Sequence, residues 1–221
     1  MQDRDEHAIL KRIDAVRQPG RRMLVAIAGA PGSGKSTLAE TLVAAIRSRD
    51  GDSAAALLPM DGFHLDNPEL AAKGLLSVKG APETFDVAGF VSLVRRVRGN
   101  EGALRYPLFD RAQDRTLPDA GFLGADTQVV VFEGNYLLLQ DAAWADLGPM
   151  FDVTVMLSVP EAVLRQRLVE RWLRYGLAPS EAEARAEGND IRNARTVIAK
   201  SARADLTLGA TMSEPAGSRP A

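Results

Sequence analysis

Residues 24–38, LVAIAGAPGSGKSTL, restrict the possible folds of this 221-residue chain more than any other stretch. Small and apolar residues lead into GAPGSGKS, which follows the pattern G-x-x-x-x-G-K-[ST], and helix-forming residues come next. This order predicts a buried strand, a glycine-rich turn and a helix. In such a turn, backbone N–H groups and the positive end of the helix dipole face a bound polyphosphate. The chain is therefore predicted to bind a nucleoside triphosphate.

The motif predicts a role for each of its residues. The nucleotide-binding residues are expected to be Gly29, Ala30, Pro31, Gly32, Ser33, Gly34, Lys35, Ser36 and Thr37. Lys35 is expected to reach the terminal phosphates, and the Ser36 hydroxyl is expected to ligate Mg2+. The strand and helix patterns on either side argue against a chance glycine-rich turn.

Apolar runs of two kinds alternate along the rest of the chain. Short buried runs predict further strands at residues 54–60, 128–133, 153–157 and 205–208. Amphipathic spacing predicts helices at residues 5–17, 86–97, 161–174 and 180–200. Alternating strands and helices predict an α/β fold of three layers, α/β/α, with a central parallel sheet.

The length of the chain favours a single domain over residues 1–221. We expect a small helical lid at about residues 165–190 and a disordered tail, rich in Ser, Pro and Gly, at residues 211–221. Residues 61–86 are broken by Gly and Pro and predict a long loop. Residues 104–119 predict an extended segment that runs over the surface.

Composition narrows the classes of partner. Lys and Arg number 27 against 29 Asp and Glu, a formal net charge of -2, which argues against nucleic acid. Cysteine is absent, which excludes disulfides and a cysteine nucleophile. The N-terminal residues are acidic where a signal peptide is basic, and no apolar run approaches the length of a membrane span. We expect a cytoplasmic protein without a membrane partner, and the oligomeric state stays open, a homodimer included.

Two acidic residues stand at the ends of predicted strands. Asp61 follows the strand at 54–60, and Glu133 ends the strand at 128–133. Ligands of open α/β sheets bind at this carboxyl edge. Asp61 is therefore a candidate base for an acceptor hydroxyl, and Glu133 a candidate metal ligand beside Ser36. The simpler alternatives are that Asp-Gly marks an ordinary turn and that Glu133 is an ordinary strand-end carboxylate.

Arginines cluster in two places. Arg167 and Arg171 lie four residues apart, so they share a helix face, and we expect them to close over the transferring phosphoryl group. Arg105, Arg111 and Arg115 suit a carboxylate or phosphate, which favours an acidic or phosphorylated acceptor. For both clusters the alternative is a solvated surface.

Six segments occur together in one order: GAPGSGKST (29–37), PMDGFHLDN (59–67), KGAPETFD (79–86), RYPLFDR (105–111), VVVFEGNYLLL (129–139) and RADLTL (203–208). Through them, over most of residues 24–208, the chain resembles the P-loop kinases related to uridine kinase, phosphoribulokinase and bacterial type I pantothenate kinase. It is most similar to a bacterial subgroup labelled fructose transport system kinase or nucleoside kinase.

The resemblance implies an ATP-dependent kinase, with ATP and Mg2+ as cofactors, that phosphorylates a hydroxyl of a sugar, a nucleoside or a pantothenate-like acid. It implies that Asp61 is the base, that Glu133 assists the metal, and that Lys35 is catalytic. The implied acceptor pocket contains Asp61, His64, Lys79, Tyr106, Phe109, Arg111, Asn189 and Asn193. Phe109 stands where uridine kinases favour tyrosine, which argues against uridine. For His64 the alternative is a loop histidine with a local hydrogen bond.

The main alternative is a nucleotide-binding regulator without kinase activity. The sequence lacks the N-K-x-D guanine signature that many such switches carry. An ATP-driven motor or transporter subunit is a third interpretation, and the sequence lacks an LSGGQ-type signature for it.

Overall fold

A computed structural model describes residues 2–209 of the chain. In this range five strands form a parallel sheet, in the order β2-β5-β1-β6-β7, and two more form an antiparallel hairpin. The strands are β1 Met23–Gly29, β2 Ala55–Pro59, β3 Leu104–Asp110, β4 Arg115–Leu123, β5 Val129–Gly134, β6 Val153–Leu157 and β7 Leu206–Leu208.

One helix precedes β1, and the other helices lie between strands of the chain. They are α1 Gln2–Val16, α2 Lys35–Asp50, α3 Asn67–Ala72, α4 Val87–Arg98, α5 Glu161–Arg174, α6 Pro179–Arg185 and α7 Arg192–Lys200. Single 3-10 turns occur at Met60–Phe63, Leu76–Val78, Pro82–Thr84, Ala142–Asp146 and Gly148–Met150, and a π-helical turn at Ala186–Ile191 joins α6 to α7. None of the helices within residues 2–209 has the length and apolar character to cross a membrane.

The central sheet has an apolar layer on each face because successive side chains of a strand point in opposite directions. On β1, Leu24 and Ala26 pack into the cluster that includes α4, whereas Val25 and Ile27 pack into the cluster that includes α1 and α2. All four side chains are fully buried. The prediction of a three-layer α/β fold with a parallel sheet is confirmed.

Two segments differ from the predictions. Residues 61–86 are not a plain loop: they contain α3 and short 3-10 turns, and they bury Leu70 and Phe85. Residues 104–119 belong to the β3–β4 hairpin, whose register shifts between Tyr106 and Leu108. Pro107 lies at that shift and cannot donate to a ladder, so its presence concealed the strand pattern. The predicted tail at 211–221 lies outside the described residues, and the single domain stays a prediction.

Asp86 stabilises the start of α4. Its carboxylate accepts a hydrogen bond from the Gly89 N–H at 2.9 Å, which satisfies one open donor of the first turn. Asp86→Ala is expected to lower the free energy of unfolding by about 1 kcal/mol. Urea unfolding measures this change, with Asp86→Asn as the matched control because asparagine also caps helices. Equal losses in both variants would contradict the capping role.

Candidate active site

The phosphate loop lies between β1 and α2, as the motif predicts. Gly32 and Gly34 adopt φ values of 79° and 94°, which side-chain-bearing residues rarely adopt. A Cβ on Gly32 would also lie 3.2 Å from Leu168 of α5. Because α2 begins at Lys35, the open N–H groups of its first turn lie at this loop, where they can bind an anion.

Glu133 and Ser36 are in direct contact. The sheet places β5 between β1 and β2, so that Glu133 pairs with Ile27 on one side and Pro59 on the other. The Ser36 hydroxyl donates to Glu133 Oε2 at 3.1 Å. Burial raises the pKa of the Glu133 carboxyl; the positive charge of Lys35 opposes this effect without cancelling it.

The Ser36 hydroxyl and the Glu133 carboxylate match the ligand chemistry that magnesium prefers. Among residues 2–209 there is no group of three or more His, Cys, Asp or Glu side chains that could hold a metal by themselves. Mg2+ is usually held by one or two carboxylates together with phosphate oxygens and water. A serine hydroxyl and one carboxylate beside a phosphate loop fit that requirement.

Asp61 lies in the 3-10 turn that follows β2 directly. The next residue, Gly62, is needed for packing: a Cβ there would lie 2.0 Å from the carbonyl oxygen of Pro107 on β3. The Asp-Gly pair therefore marks the close approach of the hairpin backbone, and not the ordinary turn considered from sequence.

Charge holds Asp61 in its ionised form. Burial acts to raise the pKa of this carboxyl, but the nearby positive charges of Arg111 and Lys35 oppose burial, and the pKa lies below its ordinary value. Arg111 makes a direct ion pair with Asp61, whose side chain is 20% exposed. An ionised carboxylate with access to solvent can accept a proton.

A cleft of about 170 Å³, here called the acceptor cleft, opens beside Asp61. It is lined by Pro31, Lys35, Asp61, His64, Lys79, Gly80, Phe109, Arg111, Asp114, Asn135, Arg171, Trp172, Arg185, Asn189, Asp190 and Asn193. The structure thus brings together most of the residues predicted for the acceptor. Sequence reasoning missed Asp114, Asn135, Trp172, Arg185 and Asp190 as residues of this cleft. Asn135 lies in the segment VVVFEGNYLLL, and the last three lie in the predicted lid at about residues 165–190, so their positions were the available signal.

Lys79 and His64 form one wall of the acceptor cleft. The Lys79 ammonium donates to Asn67 at 2.7 Å and to the Asp114 carboxylate at 2.9 Å, and it lies 5.1 Å from the Phe109 ring centroid. The His64 ring stacks on Phe85. Burial lowers the pKa of His64 to about 4, so the imidazole is neutral at pH 7.

Asn189 and Asn193 form another part of the lining. The Asn189 side-chain amide donates to the Lys79 carbonyl at 2.7 Å, and the Asn193 amide donates to Asn189 at 3.3 Å. Both residues are buried. The π-helical turn carries Asn189, and such turns are frequent at functional sites.

Tyr106 lies away from the acceptor cleft, unlike the other residues predicted with it. Its ring is buried, packs against Gly121 of β4, and its hydroxyl donates to the Leu57 carbonyl at 2.9 Å. It lines a separate groove of about 550 Å³ beside α2. Tyr106 therefore connects the hairpin to the edge of the sheet, and the predicted substrate contact is not supported.

Arg167 and Arg171 contact different partners although they share a helix face. The Arg167 guanidinium donates to the backbone carbonyls of Gly32 and Ser33 at 3.2 and 3.4 Å. The Arg171 guanidinium lies 3.3 Å from the Asp190 carboxylate. Both arginines line a larger cleft of about 520 Å³ on the α5 side of the phosphate loop, and Arg171 also lines the acceptor cleft.

Known proteins resemble this chain in sequence and in fold. A Schizosaccharomyces pombe protein described as a candidate uridine kinase is 37% identical over 199 residues, which cover 85% of this chain and 83% of that protein. The uncharacterized Escherichia coli protein YggC is 38% identical, over 87% of this chain and 80% of its own. The crystal structure of a candidate fructose transport system kinase from Silicibacter sp. TM1040 is 47% identical and has a TM-score of 0.86, over 94% of this chain and 98% of that one. No protein-family model matches the chain.

The phosphate loop that follows β1, at the carboxyl end of the parallel sheet, defines the class as a P-loop nucleotide-binding protein, and a second cleft lies beside the loop. The chain belongs to the P-loop kinase family of the uridine kinase, phosphoribulokinase and pantothenate kinase type. It is an ATP-dependent kinase of a small hydroxyl compound. The prediction of kinase activity is confirmed at this level, and the interpretation as a regulator without that activity is not favoured.

Tyr106→Phe tests the placement of this residue outside the acceptor cleft. Loss of the hydrogen bond to Leu57 is expected to lower the free energy of unfolding by about 1 kcal/mol. The KM of the acceptor is expected to stay at its wild-type value because the hydroxyl lies away from the cleft. Denaturant unfolding and steady-state kinetics measure the two effects, and a raised acceptor KM in a stable variant would show that Tyr106 contacts the substrate.

Proposed function

We propose that the acceptor cleft binds the hydroxyl compound and that Asp61 accepts the proton of its hydroxyl as the γ-phosphoryl group is transferred. One observation carries this proposal: Asp61 is an ionised carboxylate at the end of β2 that lines the same cleft as Lys35 of the phosphate loop. A base in that position can contact an acceptor hydroxyl that faces the terminal phosphate. His64, Lys79, Phe109, Asn189 and Asn193 border this acceptor.

The nucleotide is proposed to occupy the phosphate loop and the 520 Å³ cleft beyond it. That cleft continues from Gly34 and Thr37 to apolar residues of β6 and α5, which suit a ribose and a base. Ser36 and Glu133 would hold Mg2+, which supplies charge neutralisation at the phosphates when bound. Lys35 and Arg171, which line the acceptor cleft, would stabilise the charge of the transferring group.

Arg167 contributes in a different way. Its guanidinium is held on the backbone of the phosphate loop by the carbonyls of Gly32 and Ser33. We place it as a cation that closes α5 over the nucleotide, with its charge available to the phosphates. This keeps the predicted lid role for Arg167 and separates it from Arg171, which lines both clefts.

An ADP-release screen tests the proposed function. Purified protein with Mg-ATP is offered sugars, nucleosides, polyols and hydroxy acids, and Lys35→Ala serves as the blank because it removes the phosphate contact. At least one class of acceptor is expected to raise ADP release far above the blank. If no compound does so while the protein binds ATP, the proposed acceptor cleft is wrong.

Asp61→Asn tests the base. The side chain keeps its size but loses its charge, so turnover is expected to fall by about 100-fold or more, the typical contribution of a general base. The KM for ATP should change little because Asp61 faces the acceptor cleft. Steady-state kinetics with the acceptor found in the screen provide the measurement. Turnover equal to that of the wild type would remove the base assignment.

A further inference from the structure

The acceptor cleft carries a cation that no carboxylate neutralises. Three of its cations are paired within the cleft: Arg111 with Asp61, Lys79 with Asp114, and Arg171 with Asp190. Arg185 also lines the cleft, and among residues 2–209 it makes no ion pair. Lys35 also lines the cleft, but its charge is assigned to the terminal phosphates of the nucleotide. Arg185 therefore leaves the cleft with a positive charge that is not assigned to the nucleotide.

Trp172 holds two guanidinium groups at this cleft. The guanidinium carbons of Arg185 and Arg171 each lie 5.2 Å from the centroid of its ring system, within the range of a cation–π contact. The Trp172 indole N–H donates to Asp190 at 2.6 Å, which fixes the orientation of the ring. Both guanidinium groups therefore lie against the same ring at the cleft.

Three buried polar atoms of the cleft lining make no hydrogen bond with any described residue. They are Arg171 Nε, His64 Nδ1 and Asn135 Oδ1. Buried polar atoms almost always have a partner, so each of these atoms is suited to a group of the substrate. Arg171 Nε can donate to an anion, and His64 and Asn135 can bind hydroxyl groups.

We propose that Arg185, together with Arg171, binds an anionic group of the acceptor, and that the substrate is a compact polyhydroxylated acid or phosphate ester. This inference rests on the proposed function of the acceptor cleft. A guanidinium matches a carboxylate or a phosphate with two parallel hydrogen bonds. The cleft volume of about 170 Å³ is below the roughly 300–1,000 Å³ of pockets for drug-sized ligands, which favours a compact molecule over a nucleoside.

The screen for this proposal uses matched acceptors of three to six carbons: aldonic acids, the corresponding neutral alditols and the corresponding alditol phosphates. The wild-type protein is expected to phosphorylate one anionic set with kcat/KM at least about tenfold above the neutral set, as a charged hydrogen bond predicts. The acid and phosphate arms distinguish a carboxylate from a phosphate. Equal or better use of the neutral alditols overturns the proposal, and so does a lack of turnover in both anionic sets.

Arg185→Gln tests the specific residue. The KM of the preferred anionic acceptor is expected to rise roughly ten- to a hundredfold, with the KM of ATP nearly unchanged, since charged hydrogen bonds to the acceptor are lost. Arg96→Gln is the matched control because Arg96 is an exposed arginine of α4 that pairs with Glu101. Arg185→Lys retains the charge without the planar fork and should lie between wild type and Arg185→Gln.

Two outcomes separate this inference from the proposed function. If Arg185→Gln lowers kcat for every acceptor without changing KM, Arg185 acts on the transferring phosphoryl group and the proposed specificity is wrong. If neutral sugars or nucleosides are phosphorylated and anionic compounds are not, only the inference about Arg185 fails. If no acceptor of any class is phosphorylated, the proposed function fails with it.

Discussion

The hydrogen-bonded pairing of β5 between β1 and β2 is the constraint on which the candidate active site depends. Parallel strands end at the same edge of a sheet, so this order places Glu133 between the phosphate loop after β1 and Asp61 after β2. The contact between Ser36 and Glu133 follows directly from that register. An exchange of two neighbouring strands would separate the candidate metal ligands from the candidate base.

Electrostatics then give the two carboxyls different properties. Glu133 is buried at the carboxyl edge of the sheet, and burial raises its pKa. Asp61 is subject to burial as well, but the charges of Arg111 and Lys35 act to lower its pKa, which lies below the usual value. Environments that shift the pKa values of two acids in opposite directions are typical of sites where the two acids have different chemical roles. The Glu133 carboxyl is therefore suited to bind a cation, and the Asp61 carboxylate is suited to accept the proton of an acceptor hydroxyl.

The part of the site carried by local patterns was predictable from the sequence. The phosphate loop is a contiguous motif, and Asp61 and Glu133 each follow a short apolar run, so strand ends could be located without coordinates. The hairpin was not predicted because Pro107 interrupts its pattern. Tyr106 was assigned to the substrate by resemblance alone, yet it connects the hairpin to β2. Resemblance transfers a position in the sequence but not the direction of its side chain.

By itself, the sequence determined the nucleotide-binding loop, the alternating α/β architecture and the kinase family, since each is expressed in neighbouring residues or in the order of short motifs. Only the tertiary structure decided which side chains share the acceptor cleft. Trp172, Arg185 and Asp190 come from α5, α6 and the π-helical turn, and their approach depends on how those elements pack. The sequence also could not show that the charge of Arg185 is in excess, because ion pairing depends on the distances between residues that are far apart in the sequence.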